Sequence, residues 1–565
     1  MRTLLLLAVC VAGAAASYQD RPVVRVEQGA AAGSFLRSAK GRRYAAFQGM
    51  PYARARARFQ AGARVRQEAE PAEAWDGVWP ADEPGSECLQ YMHTHGDHEQ
   101  RVRGSEDCLF VNVFTPQLPN GTNPALDVIV FIHGGAFMFG SGDTFGPRYF
   151  MDRDVVFVTF NYRLGILGFL STEDEVAPGN NGLKDQVLAL RWVQRNIAVF
   201  GGDAGSVTLM GMSAGGASVH LHYLSPLSRG LFHRGISVSG TALCPWVLAE
   251  SLRAKAELMA AALGCSVASS RHVVDCLSSR PARKVVGLTS KFQEFLYNPF
   301  SPFGPTVEAG GARAFLPRHP VDVLGSGQAR DLPWVTSVTT HEGLYPAADL
   351  LRDDAHIREL DRRFEELAPH LLDFNHTVPA ARLREVSRRV RAAYLGARPI
   401  SRETMPAVVE MVGDRLFVVD AVLAARLQAS VNRAPVFFYQ FGYRGEDSLS
   451  EWMTGDGVDY GCCHADDMGF VTQVFFSDPE QTAGDRQMTQ LLLDFFVSFA
   501  RTGRPGLDGA WEPVDAAAEG LGYLAIAGPH RVEQRHSADL GRAAFWLSLG
   551  LRERRTAPPP RGDEL

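Results

Sequence analysis

Beyond residue 20 the chain has no apolar run long enough to cross a bilayer, so the mature protein is expected to be soluble. It also lacks surplus positive charge: 57 Lys and Arg against 63 Asp and Glu give a formal net charge of −6. With no basic stripe and no nucleic-acid motif, nucleic acid is excluded as the expected partner. No sequence period repeats, which excludes stacked-repeat architectures. No linker or break in composition divides residues 20–550. One large domain is therefore expected over residues 18–551, although length alone would allow several. Hydrophobic residues at 46% and charged residues at 21% supply an ordinary globular core.

Cysteine is sparse, with eight in 565 residues, and the N-terminus explains how it is used. Arg2, the run "LLLLAVCVAG" and the small residues "AAAS" form the charged, apolar and cleavage regions of a secretory signal spanning residues 1–17. An uncleaved membrane anchor is the weaker reading, because the apolar run is short for a span. Cys10 leaves with the signal. The others, Cys88, Cys108, Cys244, Cys265, Cys276, Cys462 and Cys463, are odd in number, so at least one is free or pairs between chains. Cys88 with Cys108 and Cys265 with Cys276 are the sequence-local candidates, the pairing itself left open. Asn120 in "NGT" and Asn375 in "NHT" are glycosylation acceptors that a secretory route makes usable. Residues 552–565 form a Pro-rich tail ending in Asp563, Glu564 and Leu565, as endoplasmic-reticulum retrieval signals do. Gly562 stands where such signals carry Lys or His, so the expectation is the secretory pathway, by retrieval to the lumen through a receptor or by secretion. The embedded "RGD" is read as chance.

What the chain does have is alternation. Six short runs, "DVIVFIHGG", "DVVFVTFNYR", "GSVTLMGMS", "GISVSG", "LPWVTSVTT" and "APVFFYQFGY", are β-branched or aromatic and apolar without a period of two. Strands covered on both faces look like this. Between them, Leu183, Val187, Leu190 and Ile197 share one face at helical spacing, and "MTQLLLDFFVSFARTG" is too apolar for a surface helix. The expected class is α/β, with a large, mostly parallel central sheet flanked by helices.

Ser213 sits at one strand-to-helix junction, in the frame Gly211-Met212-Ser213-Ala214-Gly215. A turn that tight needs glycines on either side, lifts the hydroxyl clear of the sheet and aims the Ala214 N–H at whatever the hydroxyl attacks. A plain Gly-rich turn is the bland alternative; the strand before and helix after favour a nucleophile. Such a serine needs an oxyanion hole, a base and an acid that orients the base. "FIHGGAFMFGSG" ends a strand with two unhindered glycines, so Gly134 and Gly135 join Ala214 as candidate donors. The spacing does not fit a phosphate loop, and His133 is read as a structural residue of this loop.

Longer blocks add a resemblance. "EDCLFVNVFTP", "HGGAF", "NYRLGILGFL", "GNNGLKDQVLALRWVQRNI" and "GGDAGSVTLMGMSAGG", with "GRRYAAFQGMPYA" and Arg58-Phe59 earlier, resemble the type-B carboxylesterase/cholinesterase family over about residues 22 to 550. The resemblance implies the α/β-hydrolase fold and ester hydrolysis by a Ser-Glu-His triad in that chain order. It places the acid at Glu342 in "VTTHEGLYP" and the base at His464 in "GCCHADDMGFV", and its disulfides fall on Cys88–Cys108 and Cys265–Cys276. Cys244, Cys462 and Cys463 stay unassigned. A Cys463–His464 pair is rejected, since adjacent residues do not face each other productively. No metal and no cofactor are expected.

Two departures bear on substrate. Cholinesterases carry Glu where Met212 stands, and the segment between Cys88 and Cys108 has no Trp to cradle a quaternary ammonium. Neutral lipophilic esters are therefore expected. Elements shared with insect-type esterases leave a juvenile hormone esterase or an odorant-degrading esterase as alternatives, although hormone esterases usually have Gln at Met212. Triglyceride lipase action is a further one. A catalytically silent, neuroligin-like adhesion protein is the alternative of another class, disfavoured because every triad position is filled. His93, His95 and His98 could suggest a metal site, but a solvated surface loop is the expectation.

Overall fold

The computed structural model describes residues 21–55, 69–93, 101–309, 311–473, 482–507 and 511–552. The signal segment, Arg58, Phe59, His95, His98 and the tail beyond Arg552 lie outside the described residues. Among those described, the largest sheet has eleven strands. In chain order they are β1 (Ser34–Arg37), β2 (Arg43–Pro51), β3 (Phe110–Thr115), β4 (Leu126–Ile132), β5 (Val156–Phe160) and β6 (Gly202–Met212). There follow β7 (Arg234–Val238), β8 (Trp334–Thr339), β9 (Val436–Phe441), β10 (Leu521–Gly528) and β11 (Arg531–Ser537). Across the sheet the order is β11-β10-β9-β8-β7-β6-β4-β5-β3-β2-β1.

All six runs read as strands are strands, β4 to β9, and with β10 they form a continuous parallel block. The margins are antiparallel: β1, β2 and β3 on one side of the block and β11 on the other. These strands lay outside the sequence reading. β11, "RVEQRHS", is almost wholly exposed, as an edge strand that must not recruit another chain tends to be, so it carries no apolar signal.

The parallel strands explain their own lack of alternation. Val128, Val130 and Ile132 of β4 enter one apolar cluster, Ile129 and Phe131 another. Successive side chains point to opposite faces, and both faces are covered. Helix α1 (Asn181–Asn196) brings Leu183, Val187 and Leu190 to the first cluster, as does Ile197 just beyond it. Helix α2 (Ala214–Leu224) joins the same face through Ala217, Val219 and Leu221. Helix α3 (Ala483–Thr502) covers the second with Met488, Leu492, Phe495, Phe496 and Phe499. It starts five residues before its apolar run, at a capping box between Thr482 and Asp485.

Both sequence-local disulfides are present, Cys88–Cys108 and Cys265–Cys276, while Cys244, Cys462 and Cys463 are free and buried. Asn120 is exposed; Asn375 is partly covered and its Thr377 is buried. No described helix is long and apolar enough to cross a membrane. The Cys88–Cys108 bridge closes a loop with a sequence separation of 20. Replacing both cysteines by alanine is expected to lower stability by about 3 kcal/mol, read as a lower urea midpoint.

Candidate active site

β6 ends at Met212 and α2 begins at Ala214, leaving Ser213 alone at the junction. Its backbone is held at φ +59° and ψ −123°, a conformation a non-glycine residue keeps only under constraint, at roughly 1–3 kcal/mol. The constraint is visible. Ser213 N–H donates to Val238 O at the end of β7 (2.8 Å), and Ser213 O accepts from Ala217 N–H in the first turn of α2 (2.9 Å). The glycines of the frame are sites of close backbone approach. A Cβ on Gly211 would lie 2.4 Å from the Gly215 carbonyl, and one on Gly215 would lie 1.9 Å from Ile132 O.

That second contact ties the elbow to the loop after β4. Gly134 packs directly on Ser213: a Cβ there would stand 3.1 Å from the serine Cβ. Gly135 turns at φ +103°, with Phe139 O pressed against its side-chain position and its own carbonyl accepting from Met138 and Phe139 N–H (2.8 and 3.0 Å). Ala214 is the first residue of α2, where helical geometry leaves the N–H without an intrahelical acceptor and the macrodipole favours negative charge. His133 lies under this loop, its Nδ1 2.8 Å from Gly134 O and its ring stacked on Tyr162 at 4.4 Å. Burial pushes its pKa down to about 4, so it is a neutral packing residue.

Glu342 and His464 meet at the same rim because β8 and β9 are neighbours, pairing up to Thr339 opposite Phe441. The loops that follow are zipped together, with His341 N–H donating to Cys462 O (3.0 Å) and a bridge between His341 and Cys463. Glu342 is 1% exposed. One oxygen accepts from Ser239 Oγ (2.5 Å) and Thr339 N–H (2.7 Å); the other lies 2.6 Å from His464 Nδ1. The imidazole is held between Phe417 (centroids 4.5 Å apart) and Tyr345 (5.4 Å). Its Nε2 is buried and has no hydrogen-bond partner among the described residues, so no bond joins it to Ser213 in this state. Such bonds often tighten only with substrate present. Ser213 and Glu342 are linked through two consecutive residues at the end of β7: Val238, bonded to Ser213, and Ser239, bonded to Glu342.

The sequence reading missed Ser239 and gave no part to the two acids after His464. Ser239 had a faint signal, a hydroxyl near the end of the run "GISVSG". Asp466 accepts from Cys463 N–H (2.6 Å), Ser448 Oγ (2.8 Å) and Leu449 N–H (2.9 Å), fastening the histidine loop. Asp467 accepts from Tyr439 OH (2.9 Å), and burial, then the nearby Glu342 charge, pushes its carboxyl up to about 7. Cys463 is held well above its ordinary thiol pKa, first by burial, which leaves it unreactive. Among the described residues no group of His, Cys, Asp or Glu could hold a metal. His93 corrects the expectation of a solvated loop: it is 3% exposed and stacks on Tyr297 at 4.5 Å. Packing between the Tyr297 and Phe139 rings holds the imidazole inside, which three histidines in a polar run do not reveal.

Residues 20–546 match the model of the carboxylesterase family. The chain belongs to that family. It is 41% identical to venom carboxylesterase-6 of Apis mellifera over 541 residues, 95% of this chain and 96% of that one. It is 40% identical to esterase FE4 of Myzus persicae, with 88% of each chain covered. The crystal structure of juvenile hormone esterase from Manduca sexta, with OTFP covalently attached, superposes with a TM-score of 0.81 at 29% identity, covering 94% of this chain and 99% of that one. This carboxylesterase is accordingly a serine carboxylic-ester hydrolase with the α/β-hydrolase fold, and the adhesion reading falls away. Gly215→Ala, which sets a Cβ against Ile132 O, is expected to displace the elbow and lower kcat on a p-nitrophenyl ester about 100-fold, with the far-ultraviolet spectrum retained.

Proposed function

We propose that Ser213, His464 and Glu342 form the triad that carries out the hydrolysis. His464 Nε2 takes the Ser213 proton as the hydroxyl attacks the ester carbonyl, while Glu342 holds Nδ1–H and steadies the imidazolium. The Gly134, Gly135 and Ala214 N–H groups receive the oxyanion. The alcohol leaves with the proton from His464, and a water deprotonated by the same imidazole cleaves the acyl-enzyme. The cycle calls on no metal or organic cofactor. The observation that carries it is the Glu342–His464 contact of 2.6 Å with Nε2 left unpaired, beside a serine held in the conformation of a nucleophile elbow.

Neutral lipophilic esters are the proposed substrates. Met212 puts a buried apolar side chain before the serine, where a cation would be served by a carboxylate. A dedicated hormone esterase is the second reading, supported by 34% identity to a juvenile hormone esterase of Tribolium castaneum. Residues 18–551 are proposed to act as one catalytic domain entering the secretory pathway behind the 1–17 signal. Asn120 is offered for glycosylation by its exposure, with Asn375 the less accessible acceptor. Retrieval through Asp563, Glu564 and Leu565 is the proposed route to the lumen of the endoplasmic reticulum.

Ser213→Ala is expected to abolish turnover of a p-nitrophenyl ester and labelling by a fluorophosphonate; unchanged activity in the purified variant removes the proposal. Glu342→Gln is expected to lower kcat by about 10⁴, since an amide stabilises neither the tautomer nor the charge. In a competition between butyrylcholine and phenyl butyrate, kcat/KM is expected to favour the phenyl ester.

A further inference from the structure

One polar group near this centre is left without employment by the hydrolytic cycle. His93 lies in the segment between Cys88 and Cys108, and its ring is enclosed by Tyr297, stacked at 4.5 Å, and Phe139, edge-on at 4.7 Å. Phe139 closes the Gly134–Gly135 loop through its hydrogen bond to Gly135 O. His93 Nε2 is 3.0 Å from Tyr345 OH, and the Tyr345 ring lies along His464 at 5.4 Å, 21° from parallel. His93 is thus one hydrogen bond and one ring contact from the proposed base, and one ring contact from the proposed oxyanion loop.

Its other nitrogen, Nδ1, is buried and has no hydrogen-bond partner among the described residues. Burial, with a smaller contribution from Arg101, pushes the imidazole pKa down to about 3, so the ring is neutral with one N–H to place. The tautomer follows from matching donor to acceptor. Either arrangement leaves one donor unmet, the Tyr345 hydroxyl hydrogen or the imidazole N–H. A phenol is the stronger donor and an imidazole nitrogen the stronger acceptor, so Tyr345 O–H donates to Nε2. Nδ1 then carries the hydrogen, and a buried donor left unmet is costly.

We infer that His93 Nδ1–H is a substrate-reading donor: the preferred esters carry, besides the scissile group, an uncharged acceptor such as an ether, carbonyl or hydroxyl oxygen. An anionic acceptor does not fit, because burial, and after it the Asp349 charge, raises both flanking phenols, Tyr297 and Tyr345. Sites built to pair a substrate's polar atom reject the analogue lacking it more strongly than apolar pockets reject an extra methylene. The inference rests on the catalytic roles of Ser213 and His464 and adds a specificity element to them.

The test uses the full chain with two matched series of esters, one with an ether oxygen walked along the acyl chain and one along the alcohol, each against its methylene analogue. For at least one position, wild-type kcat/KM is expected to favour the ether by about tenfold more than alkaline hydrolysis does, and His93→Phe to lose that preference. A wild-type ratio matching alkaline hydrolysis at every position overturns the inference, and does so whether or not the variant folds. Equal loss on both members of every pair in His93→Phe also overturns it, because a residue that only positions Tyr345 would act so. Failure of the catalytic reading would show elsewhere, as undiminished turnover by Ser213→Ala.

Discussion

The Glu342 carboxylate is the junction on which the rest of the site depends. It is buried, and an unpaired carboxylate there would neutralise itself or break the local structure. Three groups answer it: Thr339 N–H from the strand it follows, Ser239 Oγ from the next strand, and His464 from the loop beyond the third. Adjacent parallel strands deliver all three to one rim. The charge also orders what surrounds it. It adds to the rise of Asp467 that burial begins and, after burial and the nearby Asp466, to that of the thiols of Cys462 and Cys463.

The opposite side of the site is set by steric closeness. The elbow at Ser213 and the loop at Gly134–Gly135 belong to neighbouring strands, β6 and β4, whose pairing runs up to Gly211 opposite Ile132. They approach so nearly that Gly215 has no room for a Cβ. This contact brings the serine and the loop donors into one place, and the bonds to Val238 and Ala217 hold the unfavourable backbone. Precision on this side thus comes from main-chain contact, whereas on the side of Glu342 and His464 it comes from hydrogen bonds.

Between the two sides stands an aromatic wall. Tyr345 and Phe417 flank His464, and Tyr297 and Phe139 enclose His93. Rings offer broad apolar contact with a few polar tips. Within it His93 Nδ1 is a buried polar atom with no hydrogen-bond partner among the described residues.

Much of this was legible in the chain itself, because burial and backbone conformation restrict residue choice strongly. Unalternating apolar runs marked β4 to β9, whose two faces are both covered. The Gly-x-Ser-x-Gly frame marked the elbow, where only glycine fits, and the long family blocks marked Glu342 and His464. Less legible were the margins, where β11 is polar because it is exposed, and Ser239, Asp466 and Asp467, whose parts depend on what they face. His93 was read the wrong way round, since a polar stretch says nothing about which of its residues meets buried aromatic rings. The sequence by itself determined the α/β class, the disulfide partners as family likeness implied them, and the residue types able to perform acyl transfer. Only the tertiary structure decided which polar atoms meet and which are left unmet, because partnership is a property of position, set by strand order and burial across separations of over a hundred residues.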